Sequence, residues 1–87
     1  MHYPDIIAED PQEILENLVM SLVEHTHEVE IHVSEGSSSS IYSIDVVPEE
    51  RGKIIGKGGC IIRSLQTLFH AIGCRRGKRI NLEIKED

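Results

Sequence analysis

The sequence predicts an α+β domain, a three-stranded mixed sheet with helices packed on one face. Apolar residues recur first at helical spacing, then alternate twice, then return to helical spacing before a last alternating run. Four residues at 56–59, three of them glycine, separate two helical segments from each other, not a strand from a helix. The 87 residues suffice for one core and leave no room for a second. Residues 1–10 therefore read as an N-terminal extension and 11–87 as a single domain.

Each element follows from local chemistry. Asp10 can cap a helix that Pro11 opens, and Glu13 completes a capping-box-like pattern. Ile14, Leu15, Leu18, Val19, Leu22 and Val23 then mark one face of a helix running to about His25. Val29, Ile31 and Val33 alternate with Glu28, Glu30 and His32 as a half-buried strand. Gly36 and the four serines at 37–40 read as a solvated hairpin turn, with a flexible recognition loop as the alternative. Tyr42, Ile44 and Val46 form the second strand, which Pro48 stops. A short helix over 49–55 leads into the glycines. A longer helix from Cys60 places Ile61, Leu65, Leu68 and Ile72 on one face, widened by Ile62 and Phe69. Ile80, Leu82 and Ile84 alternate in a closing strand, which the two-helix crossover allows to lie parallel to the second.

Charge is divided sharply along the chain. Residues 1–50 hold twelve acidic side chains and no Lys or Arg, whereas 51–87 hold nine basic and three acidic ones. The net charge of −6 would discourage a polyanionic partner, yet every cation flanks or follows the glycine loop. No positively charged N-terminal region followed by an apolar run is visible, and no stretch approaches the ~20 apolar residues of a membrane span. These features point to a cytoplasmic protein with no membrane partner.

Catalytic and metal chemistry find little support. Cys60 and Cys74 form no C-x-x-C pair, and on one helix they would sit about 21 Å apart at ~1.5 Å per residue, so they read as reduced structural thiols. The His25-x-His27 pair has no third ligand at suitable spacing, so no metal site is expected. Glu49 and Glu50 read as a solvated helix N-terminus. No nucleophile–base pair emerges, and neither an enzyme nor a cofactor is expected.

The loop is where the chemistry concentrates. Glycines permit positive φ, amides opening the next helix lack intrahelical partners, and Lys57 adds charge at the tip. A Walker A loop fails because Gly52 to Gly56 is one residue short and Gly58 stands where a metal-binding hydroxyl belongs. A dinucleotide-binding fingerprint fails because a helix, not a strand, precedes the glycines. A tight helix–helix turn explains one or two glycines but not Lys57 or the basic residues of Arg75-Arg76-Gly77-Lys78-Arg79.

Ile54-Ile55-Gly56-Lys57-Gly58-Gly59 matches the I-I-G-x-x-G signature of the KH domain, and the chain resembles that family. The helix-strand-strand-helix-helix-strand order is similar to the type II, bacterial arrangement. The resemblance extends to the small bacterial single-KH-domain proteins (the KhpA or YlqC-like group). It covers nearly the whole chain, including Leu22-Val23-Glu24-His25, Val46-Val47-Pro48-Glu49, Gly52-Lys53, Thr67-Leu68 and Gly77-Lys78-Arg79.

The resemblance implies a non-catalytic module for single-stranded RNA, with single-stranded DNA as a further ligand, whose loop clamps about four nucleotides. Lys53, Lys57 and the backbone of Gly56, Gly58 and Gly59 would serve the phosphates. Ile54, Ile55 and Ile62 would line an apolar groove opposite residues 44–46, with Ile55 the most buried. Arg75 and Arg76 would border that groove, a solvated basic turn being the alternative; Arg63 could reach phosphate or be a plain surface arginine. Cys60 stands where these proteins commonly carry Arg or another polar residue, and Gln66 where a basic residue is common, which implies weakened electrostatics. Only Tyr3, Tyr42 and Phe69 are aromatic, so a base-stacking platform is hard to build. An RNA chaperone or post-transcriptional regulator is the implied role. The alternative is a protein–protein module that pairs with itself or with another KH-containing protein.

Overall fold

A computed structural model describes residues 10–86, so nearly all of the predicted extension over 1–10 lies outside the described residues. Helix α1 (Pro11–Met20) is followed by strands β1 (Glu30–Glu35) and β2 (Ser39–Asp45), helices α2 (Arg51–Ile55) and α3 (Cys60–Arg75), and strand β3 (Arg79–Ile84). The sheet runs in the order β1-β2-β3, with β1 antiparallel and β3 parallel to β2. Inward-facing Ile31, Tyr42, Ile44, Ile80 and Leu82 meet Leu15, Val19, Ile54, Leu65 and Phe69 of the helices in one core. Glu30, His32, Asp45 and Glu83 belong to the opposite, polar face, as the two-residue alternation requires. The predicted α+β class and its mixed sheet are therefore present. No helix among the described residues is long and apolar enough to cross a membrane.

Several boundaries differ from the sequence reading for identifiable reasons. The Asp10 side chain caps α1 by accepting from the Gln12 amide at 3.1 Å, as expected. The helix nevertheless ends at Met20, not near His25. The amides of Glu24 and His25, which would have continued it, donate instead to the Glu50 carboxylate at 2.7–3.1 Å. The hairpin turn is shorter than the serine run: Ser39 and Ser40 join β2, and Ser40 is buried because it continues the inward series of Tyr42 and Ile44.

The buried face of α3 is also rotated from the predicted one. Leu65, Phe69 and Gly73 are buried, Ile61, Ile62 and Ile72 are half-buried, and Leu68 stays 46% exposed. Two overlapping apolar stripes fit the same helix, and close packing on β3 selects one of them. A Cβ on Gly73 would collide with the Lys78 carbonyl, and the Lys78 amide donates to the Gly73 carbonyl at 2.9 Å. Ile54, not Ile55, is the fully buried isoleucine of α2. Glu50 and Ile54 lie four residues apart, so both share the one inward face of this short helical segment.

Candidate nucleic-acid interface

The loop begins where Gly56 ends α2, its amide closing on the Gly52 carbonyl at 2.9 Å. Gly56 takes φ 75°, and a Cβ there would stand 2.6 Å from Ile61 Cγ1. Both the backbone angle and the space thus require glycine. Gly58 and Gly59 also have positive φ, but a Cβ at Gly58 would meet nothing within 4 Å. The amides of Gly59 and Cys60 turn inward to the carbonyls of Gly56 and Lys57. Among the described residues no carbonyl accepts from the Lys57 or Gly58 amides, and the Lys57 side chain is exposed. Two backbone donors and one ammonium are therefore available at the tip for an anion.

Arg63, one turn into α3, folds back so that Nη1 donates to the Gly58 carbonyl at 2.7 Å. It braces the loop and keeps its charge beside it. The thiol of Cys60 is exposed next to this loop. At the far end of α3, about 22 Å from Cys60 at ~1.5 Å per residue, Arg75 and Arg76 are exposed, Arg76 forming the C-cap. Exposed Arg79 follows at the start of β3, and Lys78 lies 3.6 Å from Glu35.

Between these basic ends lies a groove of about 440 Å³, walled by Arg63, Gln66, Thr67 and His70 of α3 and by Ile80, Asn81 and Leu82 of β3. Among the described residues β3 is an edge strand. The Arg79 amide donates to the Ser38 carbonyl and the Lys85 amide to the Ile44 carbonyl, both towards β2. Strand alternation then sends the N–H and C=O groups of Ile80 and Leu82 to the open edge. The Gln66 carboxamide nitrogen donates to the Leu82 carbonyl across the groove at 3.3 Å.

This geometry corrects the expected groove lining. Ile44, Val46 and Ile54 are core residues with 0, 4 and 0% exposure, so they cannot line an open groove. Ile62 packs against the core, and Ile55 is half-buried at the loop entrance. The strand beside α3 is β3, not β2, because β2 is covered on both edges by its neighbours. Sequence reasoning missed Thr67, His70 and Asn81, and treated Gln66 only as a departure from family pattern. A signal existed: 63, 66, 67 and 70 form a second stripe at helical spacing, polar where the core stripe is apolar.

Lys53 is placed differently from the loop cations. Its Nζ lies 2.9 Å from Glu50 Oε1 and 3.6 Å from Glu24 Oε1. Glu50 is only 2% exposed, which corrects its reading as a solvated helix terminus. Burial alone would push its carboxyl up, but the Glu24 amide, the Lys53 ammonium and the His25 amide and ring together hold it at about 2. Donating to Glu50 likewise raises Lys53, and it raises His25 above 6.5. His25 Nδ1 stands 2.9 Å from Glu50 Oε2, so this ring nitrogen carries the proton it donates.

A second convergence lies on the polar face of the sheet, where the ligating atoms of Glu30, His32 and Asp45 fall within 4.8 Å of one another. His32 Nε2 lies 3.3 Å from Asp45, whose carboxylate also faces Lys85 at 3.7 Å. An apolar groove of about 380 Å³ separates the C-terminal part of α1 from α3, lined by Leu18, Leu22, Ile61, Leu65 and Leu68 with Cys60 and two serines.

The model of the KhpA/KhpB KH domain matches residues 12–84. The chain is 37% identical over 75 residues to the RNA-binding protein KhpA of Listeria monocytogenes, covering 86% of this chain and 99% of that one. It is 40% identical over 75 residues to the RNA-binding protein KhpA of Aquifex aeolicus, covering 86% and 95%. Identity to the RNA-binding protein KhpA of Borreliella burgdorferi is also 40%, over 72 residues that cover 83% and 88%. No solved structure matches the chain. With the glycine loop set between two helices and the last strand parallel to the second, a match across nearly the whole domain means that the chain belongs to the KhpA/KhpB KH-domain family.

Proposed function

We propose that the protein is a non-catalytic single-stranded RNA-binding module of type II KH arrangement, holding its ligand along the groove between α3 and β3. The observation that carries this reading is the loop: among the described residues two amides and Lys57 have no partner, and they open beside a groove whose strand edge is unpaired. Relatives called RNA-binding proteins support it. Gly56, Lys57, Gly58 and Gly59 hold phosphate, Arg63 braces the loop and adds charge, and Ile55 gives the entrance an apolar side, while Ile62 packs against the core. Arg75 and Arg76 receive the backbone at the far end. Lys53, engaged by Glu50 and Glu24, positions α2 and is not itself a phosphate contact. Single-stranded DNA presents the same phosphates to the loop and is a weaker-defined second ligand. A cytoplasmic RNA chaperone or post-transcriptional regulator is the role that fits a binder without catalytic groups.

The test is titration of short single-stranded RNAs against the Lys57→Asp, Gly58→Asp double variant. Position 58 is open and Asp tolerates left-handed backbone, so the fold should persist, as circular dichroism would check. Affinity should fall by about tenfold or more, since one cation and one neutral position become anions where phosphates sit. Unaltered binding would remove the loop from the reading.

A second reading is favoured by the groove between α1 and α3. Among the described residues no charged side chain lines it, and Leu22 and Leu68 are 36 and 46% exposed. A face without net sign is able to pair with its own copy or with another KH-containing protein. Light scattering over a dilution series would distinguish the two: a monomer at every concentration that still binds RNA removes the pairing reading.

A further inference from the structure

We propose that Gln66 selects the base seated at the centre of the groove, favouring cytosine over uracil; the inference rests on the RNA-binding reading of that groove. The Leu82 carbonyl at the open edge can only accept a hydrogen bond, so the Gln66 carboxamide must present its nitrogen to it. Chemistry thus assigns the amide orientation, and the oxygen Oε1 is left as the group that faces a ligand. Among the described residues no donor reaches it.

Three of its neighbours are already engaged. Thr67 Oγ1 spends its proton on the Arg63 carbonyl at 3.0 Å, and Arg63 donates to the Gly58 carbonyl. His70 Nε2 is drawn to the Cys74 thiol at 3.8 Å. Asn81 belongs to the alternate set of β3 residues, whose backbone groups face β2. At mid-groove Gln66 Oε1 is a side-chain acceptor and the Leu82 N–H a backbone donor at the strand edge, the other polar groups of the lining being the Asn81 carboxamide and the edge-facing backbone groups of Ile80.

A base that offers an amino group next to a ring acceptor matches this pair. Cytosine does so with its N4 amino group and N3. Uracil presents O4 and N3–H at the same places, setting acceptor against acceptor and donor against donor. The two pyrimidines have the same shape and stack alike, so the difference reports hydrogen bonding alone.

Fluorescence anisotropy with labelled rC9 and rU9 at one salt concentration tests this. The protein should bind rC9 about three- to tenfold more tightly, the span expected from one or two net hydrogen bonds. Gln66→Met should bring the two within about twofold, and Gln66→Lys, which only donates, should favour rU9. Gln66 is exposed, so both variants should fold, and thermal melts would verify it. Equal affinity for the two oligomers, or a preference that Gln66→Met leaves intact, overturns the inference while the RNA-binding reading stands. Failure of the unaltered protein to bind either oligomer overturns both.

Discussion

Glu50 ties the end of the first helical segment to the helix that carries the glycine loop. Its carboxylate accepts from two amides, one ammonium and one imidazole, all within 3.1 Å. A carboxyl held at about 2 against an ordinary 4.5 contributes stability that is fully present above pH 4.5 and lost as pH falls towards 2. Thermal melts between pH 2 and 5 should therefore show a steep acid loss, and Glu50→Gln should melt lower at neutral pH with a flatter acid limb. His25 works in the opposite sense. Its raised pKa means a contribution fully present below pH 6.5 and lost as pH rises through the folded value. The loss is partial, because the neutral ring still donates from Nδ1. Melts from pH 5.5 to 8.5 should show this decline, and His25→Ala should abolish the difference. None of this was legible in the sequence. Glu49 and Glu50 are adjacent and alike, and only the arrival of residues 24 and 25 decides which one is buried.

At the scale of elements, α3 shows how far periodicity reaches. The type and length of this helix follow from spacing, but two stripes compete for the core. Backbone contact at Gly73 resolves the competition by letting α3 lie close on β3. Gly73→Ala should cost about 1–3 kcal/mol, since an added methyl in a tight contact forces the backbone apart. Phe69→Ala, emptying a fully buried site, should cost about 3–5 kcal/mol. Leu68→Ala, on the exposed stripe, should change stability little, within roughly 0.5 kcal/mol for a surface site. Urea unfolding of the three variants would check the order, and equal losses at 68 and 69 would refute the observed rotation of the helix. The polar stripe along the same helix was readable from residues 63 to 70. What it faced was not, because sequence order makes β2 and β3 equally plausible neighbours of α3.

Across the whole molecule, the division of charge along the chain becomes a division across the sheet. β1 and β2 come from the acidic half, and α2, α3 and β3 from the basic half. Strand edges stand about 10 Å apart over three strands, close to the Debye length of ~8–10 Å at physiological salt. The acidic edge is therefore partly screened from a ligand on β3, and its repulsion orients binding more than it opposes it. With three or four phosphates neutralised, log K should fall with log[salt] at a slope of about −2 to −3, at ~0.7 per single-strand contact. A slope near zero, measured with the same RNA from 50 to 300 mM salt, would mean that the basic ends take no part.

The sequence by itself determined the element types, the α+β class, the family and the loop, because helical and strand periods, caps and glycine chemistry act over a few residues. Tertiary structure decided what those local rules leave degenerate. It chose Ile54 over Ile55 and Phe69 over Leu68 for the core, buried Glu50, committed Lys53 to it, and ended α1 early. It also made β3 an open edge facing Gln66. Apart from the Lys53–Glu50 pair, three positions apart, each of these depends on contacts between residues roughly 15–40 positions apart, and such contacts become fixed only when the sheet and helices close on one another.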